Sequence, residues 1–373
     1  MLSERKILFV TQNIAPYRGK WLDELAKHIQ VDIFHLGELS SKMDPALLSD
    51  KYKGKAKDYD VSRLLFGKYR VFRHKEIKKH AHDILILDGY GFLGQMLLII
   101  ALRLRKAEFY MSIDGGFIRE KEPFLARMMK RFFLSGPKGY FSTSSLTDDY
   151  ISHYAAKPGK LYRHYFSSVH SSDICSMQEK AECYSAYRSE LGLTEEITVL
   201  TVGQFIPRKG FDILLKASRM TGSHIRYIFI GGVPPKDYVA LIDDINQDSV
   251  QFIDFLDRQQ LRKYYLSCDI FVFPTREDIW GLAVGEAMAY GCPVISSDKC
   301  VAALSMIKDG ENGFIVHGES PGQYAAYIEK LAEDENMRSR MTEQNLEKIR
   351  AYAIDVSCKN DVESLQDIFA GKS

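Results

Sequence analysis

A chain of 373 residues with 46% hydrophobic and 27% charged content has the make-up of a globular protein of two or three domains. Its formal net charge of +1 hides an asymmetry, because residues 1–170 hold 29 Lys+Arg against 18 Asp+Glu and the remainder 21 against 31. A basic first half suits an anionic lipid surface, nucleic acid or a phosphorylated substrate, and without an arginine–aromatic platform or zinc-finger spacing we exclude nucleic acid. The six cysteines (175, 183, 268, 292, 300 and 358) form no C-x-x-C or metal spacing and read as the reduced thiols of a cytoplasmic protein. The start, MLSERKILFVTQN, enters a strand with no signal-peptide core, and the apolar run Met96 to Leu102 falls far short of the ~18 residues of a spanning helix.

In chain order, a strand from Ile7 to Thr11 leads through a polar loop, Gln12 to Lys20, into a helical pattern (Trp21, Leu22, Leu25, Ile29). Strand, Gly-containing loop and helix open a Rossmann-like domain, but G-x-G-x-x-G is missing, so nicotinamide binding is not indicated. Val31 to Leu36 is a second strand, and residues 40–63 read as a long Lys-rich loop with short helices. The triplet Asp58-Tyr59-Asp60 has the D-x-D spacing of metal-dependent glycosyltransferases, a spacing that a charged segment also produces by chance, and no metal is expected. Asp83 to Asp88 is a buried strand; the helix from Phe92 to Leu104 is apolar almost all round and reads as core. The strand Phe109 to Ile113 ends at Asp114-Gly115-Gly116, where the glycines permit close backbone approach. Residues 119–134 are amphipathic, with Phe124, Met128, Arg131 and Phe132 on one side and Arg127 and Lys130 at its edge. The segment is either a surface helix with its apolar stripe in the core or a docking helix on anionic lipid. Tyr140 to Thr143 and a helix from Thr147 to Tyr154 close this half, and residues 169–190 show no clear pattern.

The second half opens with a strand, Ile197 to Val202, then Gly203-Gln204-Phe205-Ile206-Pro207-Arg208-Lys209-Gly210 and an apolar helix. Adjacent Arg and Lys in such a loop offset the charge of a diphosphate. Strands at Tyr227 to Ile230 and Val250 to Ile253 and a helix from Gln260 to Cys268 lead to residues 268–298, CDIFVFPTREDIWGLAVGEAMAYGCPVISSD. There a strand, Ile270 to Phe273, stops at Pro274; acids Glu277 and Asp278 follow; Gly281 precedes a helix from Leu282 to Tyr290; Gly291 caps it; and Val294-Ile295 restarts a strand. In open α/β sheets ligands bind at the carboxyl ends of strands. The helix start at Leu282 and Ala283 presents backbone N–H groups to a phosphate. Glu286, one turn deeper, suits sugar hydroxyls, as does Asp278 eight residues earlier. A pyrophosphate flanked by two polyols is a nucleotide-sugar.

These residues resemble the E-x7-E signature of retaining glycosyltransferases of family four, with two Rossmann-like domains in the GT-B α/β fold. The likeness is strong over 197–316 and weaker over 1–165. It implies an acceptor-binding domain at 1–168, a nucleotide-sugar-binding domain at 169–353 and a terminal helix, 354–373, crossing back to the first domain, with the site in the cleft between domains. By resemblance Arg208 and Lys209 hold the donor diphosphate with Gly19, Gly203, Gly281, Leu282 and Ala283, and stabilise the departing nucleotide. Glu286 binds the ribose. Asp278 takes the donor-sugar position, because Trp280-Gly281-Leu282 aligns with the family's Phe-Gly-Leu; Glu277, nine residues before Glu286, is the alternative.

At Asp114 many relatives carry His. Asp114 is the acceptor base, a donor-hydroxyl ligand or an Asx turn. Arg18 is either acceptor-side or an ordinary exposed helix-start residue. The resemblance implies a metal-independent hexosyltransferase, with no cofactor beyond a UDP- or GDP-sugar donor. Its acceptor is a lipid-linked saccharide of bacterial capsule, exopolysaccharide or O-antigen, met at the inner face of the plasma membrane by peripheral contact with its anionic surface. A non-hydrolysing nucleotide-sugar epimerase and an inactive nucleotide-sugar-binding scaffold are the alternatives.

Overall fold

The computed structural model describes residues 4–11, 15–35, 57–58, 83–119, 121–193, 197–222, 224–242 and 248–371. The chain divides into two compact units, Met1–Ser168 with Ile354–Ser373, and Val169–Ala353. In the first unit the elements run β1 (Lys6–Thr11), α1 (Pro16–Leu25), β2 (Gln30–His35), β3 (Lys57–Asp58), β4 (Ile84–Asp88), α2 (Leu93–Leu104), β5 (Tyr110–Ile113), α3 (Phe124–Leu134), β6 (Gly139–Ser142), α4 (Ser145–Tyr154) and β7 (Lys160–Arg163). The strands form one sheet in the order β3-β2-β1-β4-β5-β6-β7, with every ladder parallel. Because side chains alternate across a strand, Leu8, Val10, Leu85, Leu87 and Met111 build the core on one face. Ile7, Phe9, Ile84, Ile86 and Tyr110 build the core on the other. A parallel sheet buried on both faces reads as continuous apolar runs, which is why β1, β4 and β5 stand out in the sequence.

The second unit runs α5 (Met177–Glu190), β8 (Ile197–Val202), α6 (Phe211–Ser218), β9 (Ile225–Ile230), α7 (Lys236–Val239), β10 (Val250–Ile253), α8 (Arg258–Ser267), β11 (Ile270–Phe273), α9 (Leu282–Ala289), β12 (Val294–Ser297), α10 (Val301–Met306), β13 (Gly313–Val316), α11 (Pro321–Glu333) and α12 (Glu335–Arg350). Its parallel sheet has the order β10-β9-β8-β11-β12-β13. In both sheets the strand order reverses beside the first strand of the unit, between β1 and β4 and between β8 and β11, and such switch points open a crevice at the strands' carboxyl ends. The α9 helix ends as expected at Gly291 (φ +67°), and α12 ties that end down through Thr342 Oγ1 to Gly291 O (2.7 Å) and Asn345 Nδ2 to Cys292 O (2.8 Å).

The last helix, α13 (Ile354–Phe369), packs on α1 and β7 of the first unit. Its Asp361 is buried, accepting from Trp21 Nε1 (2.8 Å) and lying 3.0 and 3.1 Å from His164 Nδ1. Ile354, Cys358, Leu365 and Ile368 join the apolar cluster around Trp21 and Leu22.

Several sequence expectations differ from the structure. Residues 169–190 contain α5, whose only buried residue is Arg188, so no apolar stripe announces it. Instead Arg188 reaches Asp269 (3.2 Å) and Thr198 (3.1 Å). Helix α2 is not core all round: Gly94, Gln95, Leu98, Ile99 and Leu102 are buried while Leu93 and Leu104 are exposed. Lys57–Asp58 is a strand beside β2, where loop and short helices were expected; Tyr59, Asp60 and Gln12 to Ile14 lie outside the described residues.

Removing the Asp361 carboxylate strands two buried donors, each costing about 1–3 kcal/mol. Asp361→Ala is therefore expected to lower the unfolding free energy of the first unit by about 2–6 kcal/mol, read by urea titration of tryptophan fluorescence in a Trp280→Phe background that leaves Trp21 as reporter.

Candidate functional site

At the second unit's switch point, β8 runs into Gly203 and a 3-10 turn, Pro207–Lys209, that ends at Gly210 (φ +67°). A β-carbon on Gly210 would lie 2.0 Å from Pro274 O, so the two loops touch backbone to backbone. The contact is stitched by Arg276 N to Arg208 O (2.8 Å) and Thr275 Oγ1 to the same carbonyl (2.9 Å). The Arg276 guanidinium completes it, donating to Pro207 O (2.6 Å), bidentately to Asp212 (2.8 Å each) and to Glu319 (2.8 Å). Sequence reading passed over Arg276, because its partner Asp212 is 64 residues away and no local pattern joins them.

This geometry brings Arg208, Lys209 and Asp278 together. Lys209 Nζ lies 2.6 Å and Arg208 Nη1 3.2 Å from Asp278 Oδ2, and Lys209 Nζ sits 4.8 Å from the centre of the Phe273 ring. Glu277 contributes its backbone carbonyl to Arg208 Nη1 (2.8 Å), and the Asp278 carboxylate meets both cations. The Asp278 backbone is held by Lys299 O (2.7 Å) and Val301 N (3.3 Å). Gly281 (φ +99°) turns the chain into α9 where a β-carbon would stand 2.4 Å from Cys300 Sγ. Burial pushes that thiol up to about 12, leaving it protonated and inert at neutral pH. No side chain caps α9, whose first residues are Leu282 and Ala283. Half-buried Glu286 lies 3.4 Å from the Tyr265 hydroxyl, which burial first and then Glu286 hold well above its ordinary value.

In the first unit Arg18 and Gly19 lie inside α1, not in the loop before it, because the helix starts at Pro16. Gly19 N donates to Ala15 O (3.0 Å) within the first turn of the helix. Arg18 is only 2% exposed, which overturns its reading as an exposed helix-start residue. Its Nη2 lies 2.9 Å from Asp88 Oδ1 and 3.0 Å from both oxygens of Asp114, and its guanidinium lies 4.7 Å from the Phe166 ring centre. Asp114 thus forms a long-range ion pair, not an Asx turn, and its carbonyl accepts from Thr143 Oγ1 (2.9 Å). Asp88, which sequence reading saw only as a strand end, also accepts from Thr11 (2.9 Å). Burial and the nearby Asp114 raise its pKa against the pull of Arg18.

Helix α3 exposes its apolar stripe. Phe124, Leu125, Met128, Met129 and Phe132 face solvent, and only Phe133 and Leu134 are buried. The expectation of a core-facing stripe does not hold. Lys130 is turned inward to Glu122 and the Tyr154 ring (4.6 Å), while Arg127 and Arg131 are exposed. Among the described residues no group of three or more His, Cys, Asp and Glu is placed to hold a metal ion, and no helix is long and apolar enough to cross a membrane.

Residues 185–348 match the family model described as Glycosyl transferases group 1. A D-inositol 3-phosphate glycosyltransferase of Streptomyces avermitilis is 27% identical over 217 residues, 54% of this chain and 45% of that protein. The chain spans about half the length of the curated relatives it matches. Among solved structures, Anabaena Alr3699/HepE in complex with UDP and glucose has a TM-score of 0.72 at 17% identity, covering 97% of this chain and 100% of that one. A sucrose-phosphate synthase from Thermosynechococcus elongatus has a TM-score of 0.73 at 18% identity, covering 98% and 100%. The likeness is one of fold, and the fold is GT-B, built here from two doubly wound α/β units.

The Arg276 hydrogen bonds hold the Asp212 carboxyl below its ordinary value. A depressed carboxylate contributes stability that is fully present above its unfolded-state pKa of about 4 and is lost as pH falls through the lower folded value. Hydrogen exchange at residues 208–212, corrected for intrinsic rate, should therefore stay slow down to about pH 4 and accelerate below it. In Arg276→Ala it should be fast at every pH.

Proposed function

We propose that this chain is a retaining, metal-independent glycosyltransferase that moves a sugar from a UDP- or GDP-sugar to a lipid-linked saccharide. The observation that carries the reading is the Arg208–Lys209 pair, held at the β8/β11 switch point inside the segment that matches the family model. Two cations on a pinned loop are pre-organised for a diphosphate whose charge grows as the glycosidic bond breaks, and such electrostatic stabilisation is the largest catalytic contribution expected of a site like this. Backbone N–H groups at Leu282 and Ala283 and the turns at Gly203 and Gly281 complete the diphosphate site, Glu286 holds the ribose and Asp278 the donor sugar. With fixed cations on the leaving group, the acceptor hydroxyl attacks from the same face and gives its proton to the departing phosphate. Asp114, oriented by Arg18, hydrogen-bonds the acceptor hydroxyl. Uridine is the first base to test, since one protein of the same fold is captured with UDP.

Calorimetry of UDP and GDP against wild type and Glu286→Ala tests the donor site, with EDTA present throughout. Binding of one nucleotide, weakened about tenfold or more by the loss of charge-assisted hydrogen bonds to the ribose, supports the reading. Flat titrations for both nucleotides overturn it.

The lipid-linked acceptor and the peripheral position at a bacterial inner membrane, in surface-polysaccharide synthesis, rest on α3. Five large apolar side chains on one exposed helix, edged by Arg127 and Arg131, suit insertion into an anionic bilayer surface. Phe124→Ser with Met128→Ser should cut co-sedimentation with phosphatidylglycerol vesicles about tenfold or more and leave UDP affinity unchanged. A second acceptor class, a free phosphorylated polyol, is favoured by the name of the curated relatives. Turnover with inositol 3-phosphate in the absence of vesicles would select it.

A further inference from the structure

Arg208 and Lys209 are both engaged by a single carboxylate oxygen, Asp278 Oδ2, at 3.2 and 2.6 Å. One oxyanion on two cations is also the arrangement a phosphate oxygen would make with the same pair. We propose that Asp278 is a built-in competitor for the diphosphate. It neutralises the cations when no nucleotide is bound, is displaced when the donor binds, and returns to help expel the nucleoside diphosphate after transfer. The inference rests on the nucleotide-sugar reading of this site.

Three features support an exchange. The Lys209 and Asp278 side chains are only 16% and 13% exposed, and a mostly covered ammonium beside a guanidinium needs a counter-charge. The backbone that carries the cations is held, because the Arg208 carbonyl accepts from Thr275 and Arg276 and Gly210 is wedged against Pro274. The Asp278 backbone is fixed as well, by Lys299 O, Val301 N and a parallel bridge to Cys300. Rotation of the Asp278 side chain then swaps one anion for another without moving a loop.

The exchange has a consequence for selectivity. A bare nucleoside diphosphate must displace the carboxylate and gives nothing back to it. A nucleotide-sugar displaces the same carboxylate but offers it sugar hydroxyls as new partners. Asp278 would then weaken product binding more than donor binding, which makes it a specificity-determining residue. Neighbouring Glu277 meets Arg208 through its backbone carbonyl (2.8 Å).

The test is calorimetry with UDP, GDP and their glucose conjugates on wild type, Asp278→Asn, Asp278→Ser, Glu277→Gln and Lys209→Ala. Asp278→Asn is expected to bind the preferred nucleoside diphosphate about five- to tenfold more tightly than wild type, with a smaller gain for its sugar conjugate. The donor-to-product affinity ratio therefore falls. Glu277→Gln removes the same formal charge next door and should leave that ratio within about twofold, as a distant field effect would.

Unchanged or weaker diphosphate binding in Asp278→Asn overturns the inference, as does equal tightening by both acid variants. If either result comes while Lys209→Ala still weakens wild-type binding, the donor-site reading stands and only the competitor role fails. If wild type binds neither nucleotide series, both fail together. Asp278→Ser keeps the test decisive should the asparagine variant misfold.

Discussion

A β-carbon at Gly210 would stand 2.0 Å from the carbonyl oxygen of Pro274, and everything at the second unit's candidate site depends on that approach. Parallel strands β8 and β11 are neighbours because the sheet order reverses there, so the loops leaving them emerge side by side. Contact alone would leave two polar loops free to slide. Arg276 prevents this by serving Pro207, Asp212 and Glu319 at once, using the fork geometry that distinguishes guanidinium from ammonium. Fixed backbone then sets where Arg208 and Lys209 can reach, and the acid that answers them is Asp278.

The first unit uses the same reversal differently. Near the carboxyl ends of its strands a cation again meets carboxylates, Arg18 on α1 with Asp88 at the end of β4 and Asp114 just after β5. There the cation is the enclosed partner, lying within 6 Å of the ring centres of Phe9, Trp21 and Phe166. A ligand cannot take its place without unpairing buried charge, which costs several kcal/mol. In the second unit Arg208 is exposed, while Lys209 and Asp278 are mostly covered. One topology thus yields an enclosed ion cluster around Arg18 and one whose Arg208 reaches solvent.

Much of this was legible in the sequence, for a physical reason. Parallel strands buried on both faces are short apolar runs, and β5, β8, β9 and β11 end where Asp114, Gly203, Gly231 and Pro274 begin the next loop. The stretch from Ile270 to Val294 shows its strand, turn, helix and cap without any tertiary information. What stayed hidden was set by distant partners. Arg276 and Asp212 are 64 residues apart, and Trp21 and Asp361 are 340 apart. Helix α5 carries no apolar stripe to detect. At α1 a local signal was present: Pro16 is a favoured first helical residue, and weighing it would have moved Arg18 and Gly19 from loop to helix.

Helix α3 shows a different limit of sequence reading. An amphipathic pattern says that two faces differ and does not say which one is covered. The anchoring of α3 comes from its C-terminal end, where Phe133 packs beside Tyr90 at 5.9 Å between ring centres, and from the inward turn of Lys130 toward Glu122 and Tyr154. Those contacts consume the polar edge expected to face solvent and turn Phe124, Leu125, Met128, Met129 and Phe132 outward. Single exposed apolar residues are ordinary, but a contiguous set on one helix marks an interaction surface. The flanking Arg127 and Arg131, with the basic excess of residues 1–170, give that surface the sign that an anionic bilayer attracts.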